Sequence, residues 1–195
     1  MIDRYSRKKM KSIWEEDSIF DIWLKIEIAT CQAWTETGLI PNSDMEKIKK
    51  AKFNKKSYDN WFSETKHDLV SFTRAVGESL GNEKRWIHHG LTSNDVKDTA
   101  LSLQLVNSLK IIDEDVKKLK DSLKKRALEF KNTPSIGRSH GIHAEPMSFG
   151  LKLALWWDEL NRHEKRINQL MSVVNVGKMS GPVGSHASIP PSIEE

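Results

Sequence analysis

The sequence is poor in several features that would point elsewhere. It has one cysteine, Cys31, in 195 residues, so no internal disulfide forms and a disulfide-stapled secreted domain is excluded. Cys31 lies in an apolar helical pattern with Trp34, which predicts a buried, inert thiol in a reducing compartment. The longest apolar run is the five-residue stretch Leu153–Trp157, far short of a membrane span. The opening Met1-Ile2-Asp3-Arg4-Tyr5 has no signal-peptide character. The expectation is a soluble, cytoplasmic chain with no membrane partner. A surplus of one charge is also missing: 31 Lys and Arg against 27 Asp and Glu leave +4, and the two signs interleave. That balance does not predict a nucleic-acid partner. What is present is core material, with 37% hydrophobic residues including seven tryptophans, too much for a disordered chain.

Hydrophobic periodicity is helical nearly throughout, so the predicted class is all-α. A first helix is expected at about 6–15. A second opens near Asp17 or Ser18, carries Phe20, Trp23, Leu24, Cys31 and Trp34, and stops at Gly38. Ser43-Asp44-Met45-Glu46 reads as a capping box for a short helix. A polar stretch follows around residues 52–60. Leu69, Phe72, Val76 and Leu80 then mark another helix, ended by Gly81-Asn82. Residues 1–90 are read as a small helical N-terminal domain, and 91–195 as part of a long-helix bundle.

The second of these regions decides the architecture. After Thr92-Ser93-Asn94-Asp95, all N-cap candidates, neither Gly nor Pro occurs before Pro134. Val96, Ala100, Leu103, Val106, Leu109, Ile112, Val116, Leu119, Leu123, Ala127 and Phe130 recur at three- and four-residue steps. A helix over about 94–131 would be roughly 55 Å long, whereas a compact globule of this size is only about 40 Å across. One more long helix, about 147–174, is available to pack on it. Two long helices make half a bundle, so the rest is expected from other chains or from sequence beyond Glu195. Residues 176–184 read as a short hairpin or Gly-rich loop. Pro190-Pro191-Ser192 with Glu195 reads as a helix start in capping-box register, as though a longer protein were interrupted there.

Three histidine-bearing stretches are candidates for chemistry. Thr65-Lys66-His67-Asp68 sits at a helix start, where a histidine is often only a polar terminal residue. Here, however, a cation, an imidazole and a carboxylate cluster. Trp86-Ile87-His88-His89-Gly90-Leu91-Thr92-Ser93 runs into the N-terminus of the longest helix. Its free amides and dipole favour a carboxylate or phosphate, although simple capping by Thr92 or Ser93 has the same signature. Gly137-Arg138-Ser139-His140-Gly141-Ile142-His143-Ala144-Glu145-Pro146 places two His, an Arg and a Glu on what reads as a loop between long helices. That density exceeds what packing requires. His140, His143 and Glu145 could be considered as metal ligands, but the spacing matches no established zinc pattern. No P-loop, dinucleotide fingerprint or nucleophile elbow is present.

These stretches carry a family resemblance. The chain resembles the N-terminal part of the adenylosuccinate lyases, within the fumarase/aspartase superfamily. The matching segments are Arg4-Tyr5-Ser6-Arg7 with Trp14; Thr65-Lys66-His67-Asp68 running into Phe72-Thr73-Arg74-Ala75-Val76; Gly90-Leu91-Thr92-Ser93 with Asp95-Val96 and Asp98-Thr99-Ala100; and Gly137-Arg138-Ser139-His140-Gly141 with His143-Ala144-Glu145-Pro146 and Phe149-Gly150-Leu151-Lys152. The His140 segment alone indicates only the superfamily. The Arg4-Tyr5 start and the His67 stretch favour adenylosuccinate lyase over fumarase, aspartase or argininosuccinate lyase.

The resemblance implies a cofactor-independent β-elimination that releases fumarate from a nucleotide substrate. It assigns His140 as general acid, and His67, with Lys66 and Asp68, to binding and orienting substrate. It assigns Thr92 and Ser93 to a succinyl carboxylate, and Arg4 and Tyr5 to the nucleotide end. Ser139 stands where threonine is usual, Asn94 where a second threonine is common and His89 where tyrosine is frequent. The family's catalytic-serine signature, Gly-Ser-Ser-x-Met-Pro-x-Lys-x-Asn, is absent from the sequence. In this superfamily the sites are shared between subunits of a homotetramer, so the 195-residue chain is expected to be inactive alone. A helical interaction module, a histidine-centred metal hydrolase and a carboxymuconate cycloisomerase-like enzyme are the competing readings.

Overall fold

A computed structural model describes residues 2–195. The chain forms two compact units, Met1–Leu105 with Val176–Glu195, and Val106–Asn175. Eight α-helices and one two-stranded hairpin are assigned among the described residues.

In the first unit, a 3-10 turn at Asp3–Tyr5 precedes α1 (Lys8–Ile13) and α2 (Glu16–Glu36). α1 is shorter than the sequence predicts, its last turn closed by the Trp14 N–H on the Lys11 carbonyl. α2 buries Phe20, Trp23, Ile26, Cys31 and Trp34 on one face, the stripe expected from their spacing. α3 (Asn42–Ile48) starts from Pro41 as N-cap, and no side chain caps it. The predicted Ser43–Glu46 capping box therefore does not form. Extended Pro41 starts the helix two residues early and leaves Ser43 inside the first turn.

The polar stretch near 52–60 hides α4 (Lys55–Thr65), capped by the Asn54 side chain accepting from the Ser57 N–H. Its helical character rests on few apolar positions, with Tyr58 buried and Trp61 against the core. α5 (Asp68–Gly77) buries Leu69, Phe72, Ala75 and Val76. Phe20, Trp23, Phe53 and Phe72 form the aromatic centre of the unit, with Phe20–Phe53 centroids 4.4 Å apart and Trp23–Phe72 centroids 5.4 Å apart. A second 3-10 turn, Asn82–Trp86, leads to α6 (Ser93–Glu129). Val96 and Ala100 of α6 pack into the same core.

α6 is one continuous helix of 37 residues, so the long element predicted over 94–131 is present. In the second unit it is followed by β1 (Pro134–Ser139), β2 (Ile142–Ser148) and α7 (Phe149–Val174). α7 begins at Ser148, whose hydroxyl accepts from the Leu151 N–H, and it runs back along α6. The two helices approach closely at Gly150. A Cβ there would stand 2.4 Å from the Ala127 carbonyl oxygen, a distance only glycine tolerates. Further along, Lys120 and Glu164 form an ion pair.

The region 134–148, read from sequence as a loop, is thus an antiparallel hairpin. The signal for it lies in His140-Gly141. Both residues have positive φ, 52° and 76°, as a two-residue type I′ turn requires. Of the two readings of 176–184, the Gly-rich loop is the one formed: no strand occurs there, and Gly181 and Gly184 take positive φ. Ile189 and Ile193 return to the core of the first unit. α8 (Pro191–Glu194) starts at Pro190 without a side-chain cap, so the expected Ser192–Glu195 box does not form either.

Candidate active site

The His67 stretch is a sharp junction between two helices. Lys66, at φ 53°, ends α4 in the left-handed conformation, and His67 in extended conformation begins α5. His67 is its own helix cap: Nδ1 accepts the Val70 N–H at 3.3 Å. With Nδ1 used as acceptor, the neutral ring carries its proton on Nε2. Behind it, the Ser71 hydroxyl bonds the His67 carbonyl at 2.6 Å and the Thr65 hydroxyl at 2.7 Å. The half-exposed imidazole therefore stands on an ordered base.

Asp68 connects this junction to α6. One carboxylate oxygen accepts the Leu69 N–H at 2.8 Å, and the other meets Lys97 Nζ at 2.7 Å. Partial burial pushes the Asp68 carboxyl upward. The Lys97 contact, the Leu69 N–H and the neighbouring imidazole outweigh it and hold the group below its usual value. Lys97 lies one turn after Ser93, so this ion pair brings the His67 junction to the start of the long helix.

That start is organised by a residue to which the sequence reading gave no site role. Asp95 is fully buried, and it accepts from the Thr92 N–H at 2.9 Å, a carboxylate closing the helix N-terminus. It also binds Lys178 Nζ at 2.5 Å and the N–H groups of Ser180 and Gly181 at 3.2–3.3 Å. Thr99 exchanges hydrogen bonds with the Lys178 backbone, and Ser102 accepts from the Val176 N–H. The loop 176–181 is thereby strapped along the first turns of α6. The Thr92 and Ser93 hydroxyls make no hydrogen bond to any described residue. Beside first-turn amides that lack helical partners, they form a donor set suited to an anion.

The turn leading into Thr92 is gripped by one face of α2. Glu27 accepts from the His88 N–H and meets His88 Nδ1, both at 2.7 Å. The Cys31 thiol donates to the Trp86 carbonyl, and Trp34 Nε1 donates to the His89 carbonyl at 3.2 Å. Burial, helped by the Glu27 charge, pushes the Cys31 thiol up to about 12, the protonated, inert state expected from its position. Sequence reasoning passed over Glu27. Its signal was available, since Glu27 fills the missing step between Leu24 and Cys31 in the apolar stripe of α2, where a charge needs a partner.

The remaining expected residues lie apart. Arg4 and Tyr5 are exposed on the first 3-10 turn, the Arg4 guanidinium 5.2 Å from the Tyr5 ring centroid. His140 belongs to the second unit, at the tip of its hairpin. Arg138 and His143 are directly paired across the strands. The side chains of Arg138, His140, His143 and Glu145 are exposed and meet no hydrogen-bond or ion-pair partner among the described residues. Among those residues, no group of three or more His, Cys, Asp or Glu side chains is arranged to hold a metal ion. Among the described residues, no helix is long and apolar enough to cross a membrane.

A helical chain with histidines on ordered turns at a helix start and at a hairpin tip has relatives. Residues 3–195 match the Lyase family, and the chain belongs to that family. It is 46% identical, over all 195 residues, to the adenylosuccinate lyase of Staphylococcus saprophyticus, of which it spans 45%. The fold is similar to that of a fumarate lyase from Mesorhizobium sp. BNC1, with TM-score 0.90 and 24% identity, covering 97% of this chain and 48% of that one. It is similar also to a 3-carboxy-cis,cis-muconate lactonizing enzyme from Pseudomonas putida, with TM-score 0.88 and 30% identity, covering 96% and 45% of the two chains. The chain thus spans about half the length of the proteins it matches.

Proposed function

We propose that this chain carries part of the active site of an adenylosuccinate lyase. The reaction is elimination of fumarate from adenylosuccinate to leave AMP, and from the succinyl-carboxamide ribotide to leave the free carboxamide. The observation that carries this reading is the 46% identity to an adenylosuccinate lyase along the whole chain. The His67, Thr92–Ser93 and His140 segments add support through their geometry.

The chemistry needs a base for a weakly acidic proton beside a carboxylate, donors for the charge that develops, and an acid for the departing nitrogen. His140 is the acid. Imidazole is the side chain best suited to give and take a proton near neutral pH, and the hairpin tip leaves His140 without a hydrogen-bond or ion-pair partner among the described residues. Thr92 and Ser93, on the dipole end of α6, hold a succinyl carboxylate. His67 donates through Nε2 to orient substrate, and Lys66 adds positive charge beside it. Asp68 works from behind, tying that junction to α6. Arg4 and Tyr5 take the nucleotide end, where a guanidinium matches phosphate geometry.

The base is not in this sequence. The Gly-Ser-Ser-x-Met-Pro-x-Lys-x-Asn signature that would provide it does not occur, so the chain acts as the first part of a larger subunit. Residues 1–90 lie in its N-terminal domain, and the long helices within 91–195 open a helical bundle completed in a cytoplasmic homotetramer with shared sites. The exposed apolar stripe Leu101, Leu105, Ile112 and Leu119 along α6 supports such a bundle, because the four lie on one helical face. No cofactor is required.

The likeness to muconate-lactonizing enzymes favours one second reading, a cycloisomerase acting on a carboxylated diene. Thermal shift of the purified chain with adenylosuccinate, AMP and 3-carboxymuconate separates the two. Stabilisation by the purine ligands alone is expected; stabilisation by carboxymuconate alone would overturn the assignment. Fumarate release by the isolated chain, abolished in His140→Ala, would overturn the claim of inactivity.

A further inference from the structure

Glu27 is a fully buried carboxylate on α2, and a buried charge is costly unless it is paired and hydrogen-bonded. Both of its oxygens are spent on a single residue. Oε2 accepts the His88 backbone N–H and Oε1 meets His88 Nδ1, each at 2.7 Å. Ordinary core packing does not call for an acid there, since α2 meets this turn with apolar or weakly polar groups at Cys31 and Trp34.

His88 is itself unusual, with φ 66°, a left-handed conformation that strains a residue with a side chain. Its carbonyl accepts the Leu91 N–H at 3.3 Å, so the same strained residue sets the turn that ends at Thr92. A carboxylate oxygen can only accept, which obliges Nδ1 to carry a proton in either charge state of the ring. Nε2 is left as the uncommitted ring atom of a side chain that is 25% exposed.

We propose that Glu27 is a positioning residue, which through His88 fixes both the backbone turn and the ring protonation pattern of the segment that delivers Thr92 and Ser93. It acts at the same site as the proposed function, and its bearing on substrate rests on that reading. Its effect on His88 does not. The arrangement therefore gives a readout in the chain as it stands.

The experiment is nitrogen-15 NMR of the His88 ring with amide hydrogen exchange, on the 195-residue chain and two variants. In the parent chain Nδ1 should be protonated throughout pH 6–9. Glu27→Gln keeps an acceptor for the His88 N–H but offers an amide donor to the ring. Exchange at His88 should change little while the ring signature moves to Nδ1 unprotonated. Glu27→Ala removes both contacts, and exchange at His88 and Leu91 should accelerate by about tenfold or more. An unprotonated Nδ1 in the parent overturns the proposal, as does unchanged exchange at Leu91 in a folded Glu27→Ala. Should Glu27→Ala fail to fold, the ring signature of Glu27→Gln decides alone. A parallel titration with succinate tests the substrate reading separately: perturbed Thr92 and Ser93 amides support the anion site, and their silence counts against that site while leaving the Glu27–His88 result intact.

Discussion

Asp68 is the residue whose charge has the clearest consequence. Its carboxyl is held below the ordinary value with Lys97 as its main partner, so it stabilises the folded state above the unfolded carboxylate pKa of about 3.9 and loses that contribution as pH falls through its lower folded value. Asp68→Asn should lower stability at pH 7 by about 0.5–1 kcal/mol, the scale of a partly solvated ion pair. The gap should close near pH 2, and urea denaturation at the two pH values checks it. Cys31 supplies a second residue-scale test. With its thiol pushed up to about 12, it should resist iodoacetamide at pH 8 in the native chain and react readily once unfolded. The inert character of Cys31 was readable from its place in an apolar stripe. Glu27 and Asp95 were not given weight, because a lone acid in a helical pattern looks solvated until its partners arrive from positions 61 and 83 residues away.

Among the elements, the helices were legible where apolar spacing was dense, as in α2, α5, α6 and α7. α4 was hidden because Tyr58 and Trp61 alone mark its inner side. The hairpin was hidden because its turn depends on a histidine at positive φ, a conformation that Asn or Gly advertises far more plainly. This suggests a clean separation of fold from chemistry. His140→Asn places an Asn-Gly pair in the type I′ turn, so the hairpin should persist, with thermal stability of the chain unchanged or slightly raised. Any loss of activity in an assembled enzyme would then belong to the imidazole. The Gly150 contact tests the other end of the unit. A methyl group there would press on backbone atoms of Ala127 and Lys131 at 2.4–2.8 Å. Gly150→Ala should therefore cost about 1–3 kcal/mol, read as a lower urea midpoint by far-ultraviolet circular dichroism.

For the molecule as a whole, the all-α class and the long helices followed from periodicity, and the family resemblance followed from four short segments. The division into compact units did not. Periodicity sees neighbours along a helix, whereas the first unit is assembled from both ends of the chain. The bundle proposed from the apolar stripe of α6 implies self-association. Sedimentation equilibrium should show concentration-dependent oligomers, and Leu105→Lys with Ile112→Lys should shift the chain toward monomer.

The strap of residues 176–181 on Asp95 also bears on how the chain is made. Asp95 emerges from the ribosome more than eighty residues before Lys178, Ser180 and Gly181, the groups that neutralise and bond it. Ile189 and Ile193, which finish the hydrophobic centre of the same unit, arrive later still. The core of this unit is therefore complete only after its last residues are made. Until then Asp95 lacks its cation, and the places of Ile189 and Ile193 stay open, while the whole α6–hairpin–α7 excursion is translated. Such long-range closure slows folding and lengthens exposure to aggregation, and it makes this early-synthesised unit a natural client for chaperones.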